Sequence, residues 1–503
     1  MCNKKEVTFS ALPGGYRNNN GNFNNIGNNG NWWSSSENSS TNAWNRNLNY
    51  NNTNVNRNNN NKDYGFSVRC VRDLKGNIYQ GSNLCCPGFE LNTMKQLNLF
   101  NVNDEDILLN DICQAYYNAR KNKRNTINQL AFEKHLESNL FALSDEIIER
   151  NYEPKPSICF MVNHPVKREI FAADFRDRVV HHFIYNYIMP VFEKSFIHDS
   201  YSCRVGKGTH YGIKRIERFI RSCSQNYKKN CYILKLDIKG YFMAMNKTIL
   251  FNEVKNGLLN YKHKIDFDLP LVLYLIEKTI FNDPTKNCII KGKKADWQGL
   301  PKSKSLFHAK RNCGLPIGNL TSQLFGNVYL NKFDHFMKRD LGLQHYGRYV
   351  DDFVIVHRDK AYLKSIIPQI AKFLESRQKL LLHPDKIYLQ HYTKGVKYLG
   401  SVIKPHRIYI ANRTKGNFYK KIEEHNKIAR DHKPSEEEKE AFFSSMNSYL
   451  GIMKPCKNDK QVKLYKTYTI RKNMLKRNIS GWWENYFTIG NNYEKLERKH
   501  KKL

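Results

Sequence analysis

The stretch that decides the reading is HYGRYVDDFVIVHRD, His345 to Asp359. Apolar and β-branched residues flank the pair Asp351-Asp352 on both sides, and Gly347 offers a turn before it. This pattern reads as a β-hairpin with two adjacent acids at its tip. Two carboxylates forced together raise each other's pKa unless a cation lies between them. A hard divalent metal, which takes oxygen ligands, supplies that cation most simply. An isolated Asp-Asp pair reads more readily as a solvated turn, because acids mostly sit at surfaces. A second element upstream decides between the two.

That element is YILKLDIKGYF, Tyr232 to Phe242, where an apolar strand ends in Asp237 and a turn carrying Gly240 follows. Beside the hairpin, Asp237 and Asp351 would clamp two Mg²⁺ ions. Two metals ~4 Å apart stabilise the entering and leaving oxygens of an in-line phosphoryl displacement. LDIKGYF and YVDD together resemble motifs A and C of reverse transcriptases. The resemblance implies an α+β right-hand polymerase fold of fingers, palm and thumb, with an antiparallel palm sheet and a helical thumb. It implies Asp237, Asp351 and Asp352 as catalytic and metal-binding residues, with Mg²⁺ or Mn²⁺ as cofactor. One ion would activate a 3′-hydroxyl and the other would neutralise pyrophosphate.

Composition agrees. The chain of 503 residues has a formal net charge of +36, far beyond what solubility needs, and this points to a polyanionic partner. Twelve cysteines include one adjacent pair, Cys85-Cys86, and no C-x-x-C. That argues against a zinc ribbon and for reduced thiols, hence a cytoplasmic location. The longest apolar run, around Leu269 to Ile276, is far short of the ~20 residues of a membrane helix, and the N-terminus lacks the apolar core of a signal peptide. No membrane association is expected.

Between Tyr16 and Lys62 stand 22 asparagines in 47 residues. So polar a tract is expected to be disordered, because it cannot bury enough apolar surface to offset chain entropy. Its frame is not random, however. WWSSSENSSTNAWNRNLNY and KDYGFSVRCVRD resemble the C-terminal end of C-type-lectin-like, formylglycine-generating-enzyme-like domains. Asparagine codons begin with two adenines. An asparagine at nearly every variable place is similar to a translated template repeat of a diversity-generating retroelement, the RNA that is copied with errors at adenine. Residues 1–93 would be that repeat and a linker, with Met94 the natural start of the enzyme. They carry 9 basic and 5 acidic residues, so +32 of the net charge belongs to the rest.

The remainder divides on this reading into N-terminal helices and fingers (94–231), palm (232–410, with an insertion at about 258–313) and a helical thumb with a basic tail (411–503). Apolar spacing predicts helices from Asp104 to Arg150, interrupted by the basic run Arg120 to Arg124. Lys167 to Phe196 reads as a short strand and an amphipathic helix opened by Asp174 and closed before Pro190; it resembles motif 1. Ser200 to Ile216 resembles motif 2. By this resemblance Arg168 and Arg204 hold the triphosphate of the incoming nucleotide, as guanidinium forks suit phosphate, with Lys207 a third candidate. Phe242 falls at the place of the aromatic steric gate, which excludes a ribose 2′-hydroxyl.

GLPIGNLTSQ, Gly314 to Gln323, resembles motif B. Most reverse transcriptases have Gln before the glycine and Ser-Pro four residues after it. Here Ile317 precedes Gly318, and Ser322-Gln323 follows, a pattern similar to enzymes of diversity-generating retroelements. DWQGLPKSKSLF, Asp296 to Phe307, resembles the same group. Lys386 stands where a motif D cation protonates the leaving pyrophosphate. GVKYLGSVIKPH resembles the primer grip, with Tyr398, Leu399 and Gly400 near the primer end. The thumb is expected to end at about Lys476, and the role of the tail with Trp482-Trp483 is not legible.

The resemblance spans about Met94 to Arg477 and implies dNTPs, template RNA and a cDNA/primer duplex as ligands, with an accessory variability determinant as protein partner. Two other readings stand beside it: another bacterial reverse transcriptase, of retron, group II intron or phage-defence type, and a lectin-like ligand-binding protein.

Overall fold

An asparagine can bond to an asparagine across paired strands, because each amide both donates and accepts. Part of the tract expected to be structureless is accordingly a sheet. Strands β1 (Asn29–Glu37), β2 (Asn42–Asn49) and β3 (Val55–Asn61) run antiparallel in that order. Asn47 Nδ2 donates to Asn31 Oδ1 at 2.7 Å, and Asn45 Nδ2 donates to Asn60 Oδ1 at 2.7 Å. Trp44 carries the Arg57 guanidinium 3.9 Å above its ring. Composition counts apolar surface and overlooks these cross-strand amide pairs.

The computed structural model describes residues 16–25, 28–49, 55–66, 71–72, 78–79, 104–121, 126–163, 166–454, 457–458, 467–476, 478–490 and 493–499. The chain divides into two compact units, Met1–Gln114 and Ala115–Leu503. Its architecture is mixed α+β, with several sheets and helices. Met94 and the pair Cys85-Cys86 lie outside the described residues. Among the described residues, no helix is long and apolar enough to cross a membrane.

The helices expected over 104–150 are α1 (Asp104–Arg120), α2 (Ile127–Glu133) and α3 (Leu136–Ile148). Strands β4 (Ile158–Val162) and β5 (Arg168–Ala172) pair antiparallel. Helix α4 (Phe175–Glu193) starts at Asp174, whose carboxylate accepts from Arg176 N at 3.0 Å, an N-cap of ordinary type. It does not stop before Pro190 as expected. The final turn survives the missing donor because Ile188, Met189 and Phe192 are buried.

Helix α5 (Thr209–Cys223) leads to strand β6 (Tyr232–Asp237), a short turn of helix α6 (Tyr241–Ala244) and helix α7 (Lys247–Leu259). The stretch read as an insertion holds helix α8 (Leu269–Phe281), the short strand β7 (Ile289–Ile290) parallel to β4, and a series of 3₁₀ turns. Then come α9 (Leu320–Tyr329), α10 (Asn331–His335), strands β8 (Tyr346–Tyr349) and β9 (Asp352–His357), α11 (Lys360–Gln378) and β10 (Tyr388–His391).

The central sheet has the order β8-β9-β6-β10, all antiparallel. Period-two alternation gives it two apolar faces. Leu234, Leu236, Phe353 and Ile355 are buried on one face, where Phe333 meets Phe353 at 5.3 Å between ring centres. Ile233, Val354 and Val356 on the other pack against Ile213, Ile216, Phe219 and Ile220 of α5. Each such aliphatic residue stabilises the fold by about 1.5–3 kcal/mol on burial. Strands β11 (Val396–Tyr398), β12 (Ser401–Lys404) and β13 (Arg407–Ile410) close over the same core.

The C-terminal helices are α12 (Asn412–Asp431) and α13 (Glu436–Ile452), the latter opened by a Ser435/Glu438 capping box. Their core does not end at Lys476. Trp483 is fully buried and stacks on Phe442 with ring centres 4.0 Å apart, and its indole donates to His425 O at 3.2 Å. Phe487 and Leu496 complete that core. The tail is therefore part of the helical module, fastened by an aromatic stack that no periodicity announces.

Candidate active site

Strand register brings the acids together. Asp237, the last residue of β6, lies directly opposite Asp352, the first of β9. Tyr349 pairs with Asp352, so Val350 and Asp351 form the two-residue hairpin turn. Ile238 N donates to Asp351 O at 3.3 Å, tying the turn to the neighbouring strand. Val350 has φ +56°. Such turns usually place glycine there, and a left-handed residue with a Cβ costs about 1–2 kcal/mol. Strain of this kind concentrates at functional sites.

A buried network holds the turn. Arg348 and Asp334 are both 0% exposed and meet at 2.6 Å. Arg348 Nε also donates to Asp334 Oδ1 at 2.8 Å, and Tyr346 OH donates to the same oxygen at 2.6 Å. Arg348 Nη1 reaches forward to Val350 O at 2.9 Å. Gly347 is not a turn residue as expected; it lies within β8, where a Cβ would come 2.2 Å from Tyr201 OH.

Burial pushes the Asp351 carboxyl up to about 6, and the charge of Asp237 adds to the rise. Asp352 is also pushed up to about 6 by burial, partly opposed by Lys235. Lys235 Nζ lies 2.9 Å from Asp352 Oδ2, and Lys386 Nζ lies 2.9 Å from Asp237 Oδ1. Asp352 Oδ1 is buried with no hydrogen-bond partner. An all-carboxylate donor set with an orphaned buried oxygen fits a hard divalent cation in its chemistry. Among the described residues, however, no three His, Cys, Asp or Glu side chains are gathered as a preformed metal cage.

The other expected residues differ in what each packs against or pairs with. Phe242 and Ile317 pack against one cluster containing Phe171, Met243 and Leu306. Phe171 N donates to Ile317 O at 2.9 Å, which ties this turn to β5. Gly318 has φ +131°, and a Cβ there would lie 2.9 Å from Phe171 O, so only glycine suits the place. Ser322 is buried in α9, whereas Gln323 is exposed and accepts from the Cys203 thiol at 2.9 Å. Tyr398 is buried with its hydroxyl unpartnered, and Leu399 and Gly400 form the β11–β12 turn with φ +47° and +81°.

Arg168 is exposed at the start of β5. Arg204 is buried and its guanidinium is already engaged: Nε and Nη2 reach Glu193 at 2.8 and 2.6 Å, and Nη1 reaches Ile197 O and Ser200 O at 2.7 and 2.9 Å. As placed, it fixes its own loop rather than facing a ligand. Lys207 donates to His198 O at 2.7 Å. Sequence reasoning passed over Lys235, Arg348 and Asp334. The one available signal was a cation inside each apolar strand, YILKLD and YGRY.

Comparison with known proteins bears on both parts of the chain. Residues 167–403 match the family described as reverse transcriptase (RNA-dependent DNA polymerase). Residues 1–72 match the family described as Fibrobacter succinogenes major domain. Protein YkfC of Escherichia coli (strain K12) is 23% identical over 308 residues, covering 54% of this chain and 73% of that protein. Among solved structures, apo telomerase from Candida Tropicalis truncated from its C-terminal domain is similar at 13% identity and TM-score 0.37, over 55% of this chain and 60% of that one. Telomerase from Candida albicans with a TWJ fragment of telomeric RNA is similar at 12% identity and TM-score 0.36, over 70% and 64%. The chain spans less than two thirds of the length of these telomerase chains. A reverse-transcriptase domain is thus present, and its presence supports enzymatic activity of the nucleotidyltransferase type.

Proposed function

We propose that this enzyme is the RNA-directed DNA polymerase of a diversity-generating retroelement, copying a template-repeat RNA into cDNA with errors at adenine. The observation that carries polymerisation is the register of Asp237 against Asp352 with Asp351 in the intervening turn. Fingers, palm and thumb then correspond to 94–231, 232–410 and 411–503.

Asp237 and Asp351 would hold two Mg²⁺ ions, with Asp352 beside them. Bound there, the ions would supply activation of the primer 3′-hydroxyl and charge neutralisation at the pyrophosphate. Lys386, 2.9 Å from Asp237, is the cation this reading assigns to give a proton to the leaving group. Lys235, 2.9 Å from Asp352, partly opposes the rise that burial imposes on that carboxyl. Phe242 closes the sugar pocket against a 2′-hydroxyl, and Arg168 receives triphosphate oxygens. The diversity-generating assignment is supported by Ile317-Gly318 with Ser322-Gln323, and by the asparagine tract read as a translated repeat. An accessory variability determinant would bind beside the template RNA.

Primer extension on an RNA template tests the centre. Asp237→Asn and Asp351→Asn each lower the rate by several powers of ten, as loss of a metal ligand does. RNA affinity stays near the parent value because it comes from many phosphate contacts. Near-normal extension by Asp351→Asn would remove the assignment.

A further inference from the structure

The insertion between α8 and α9 contains a segment that the catalytic centre leaves unused. From Lys293 to Arg311 it holds six cations, Lys293, Lys294, Lys302, Lys304, Lys310 and Arg311, against one acid, Asp296. All six are exposed, and none has a carboxylate partner among the described residues. The inner side of the same segment is fixed. Glu169 of β5, 1% exposed, accepts from Trp297 Nε1 at 2.7 Å, Ser305 Oγ at 2.9 Å and Leu306 N at 2.6 Å. Lys167 Nζ donates to Gln298 O at 2.5 Å. Ser303 O lies so near the turn after β6 that a Cβ on Gly240 would come 2.7 Å from it.

Burying a carboxylate is costly unless its oxygens are satisfied. Here one buried acid takes three donors from the insertion and holds a segment rich in exposed cations against β5 and the turn that follows Asp237. A merely solubilising lysine loop needs no such anchor. The geometry points to a nucleic-acid arm: we propose that Lys293, Lys294, Lys302 and Lys304 bind the phosphates of the unpaired template RNA as it approaches the carboxylate centre. This deepens the polymerase reading and rests on it. The unpaired template is the strand such an enzyme must hold ahead of the primer end, and lysines bind phosphate as point charges without reading sequence.

The test uses the full chain with Lys293, Lys294, Lys302 and Lys304 all changed to Gln, and separately Lys302→Glu with Lys304→Glu. The probes are fluorescent oligouridylate and a fully paired RNA–DNA duplex with no overhang, each titrated over a range of KCl. For oligouridylate the slope of log affinity against log salt falls by about 0.7 for each lost phosphate contact, about 3 for the fourfold variant, and affinity at low salt drops at least about tenfold. Duplex affinity and melting temperature stay at parent values, because the substituted side chains are exposed. Unchanged oligouridylate affinity and slope overturn the proposal, as they would if the arm docked an acidic protein. Equal loss on the blunt duplex overturns it too. Parent enzyme that fails to extend a primer counts against polymerisation itself, whereas parent enzyme that extends while the variants bind normally removes only the arm.

Discussion

Replacing Arg348 by Met should separate what the buried network contributes to stability from what it contributes to the site. The change leaves Asp334, 0% exposed, as a buried carboxylate with only Tyr346 OH to satisfy it. Breaking a buried ion pair from one side costs about 3–5 kcal/mol, a large part of the ~5–15 kcal/mol that holds a typical domain together. Replacing all three polar members (R348M, D334L, Y346F) removes the stranded charge and hydroxyl, and apolar substitutes of similar volume restore most of that loss. The turn behaves otherwise. Val350 holds a left-handed conformation costing about 1–2 kcal/mol, against which its carbonyl receives a charged hydrogen bond from Arg348 that contributes about 1.5–3 kcal/mol. With the donor gone, strain wins and the turn that carries Asp351 shifts against the strand that ends in Asp237. Urea denaturation should therefore show R348M strongly destabilised and the triple variant largely recovered. Primer extension should stay depressed at least about tenfold in both, since 1.4 kcal/mol in the barrier is a tenfold rate. A triple variant that extends at the parent rate would refute the positioning role.

Three further outcomes are expected. Phe242→Ala admits ribonucleotides with little loss of deoxynucleotide use, read by single-nucleotide incorporation; unchanged discrimination would leave Phe242 only its packing beside Ile317. If the proposed nucleotide site lies beside Ile317, Ile317→Gln introduces a polar side chain there, and one hydrogen bond contributes about 1 kcal/mol, roughly fivefold in selectivity. Errors opposite adenine then fall more than errors opposite other bases, and equal adenine error frequencies in sequenced cDNA would reject this. A chain starting at Met94 polymerises like the full chain, and loss of activity on truncation would show that the asparagine-rich unit belongs to the enzyme.

How much of this was legible in the sequence follows from the distance over which each feature is decided. Strand, turn and acid are local: alternation over Tyr232 to Asp237 and the apolar run after Asp352 announce a hairpin beside a strand, and the register places the carboxylates where those patterns imply. A cation's role is not local. Arg204 stands in a motif that suggests phosphate, yet Glu193, eleven residues earlier, has taken its fork. Arg348 looks like any charge in a strand until Asp334, from a different element, meets it in the core. The asparagine sheet and the Trp483 stack depend in the same way on partners supplied by other segments. The charge of +36 therefore points to a polyanionic partner but not to the residues that would bind it. Only the fold separates cations that are internally satisfied, such as Arg204 and Arg348, from those left exposed without a carboxylate partner among the described residues, such as Arg168 and the lysines from Lys293 to Lys304. The second group retains its attraction for phosphate, because no internal pairing has already neutralised it.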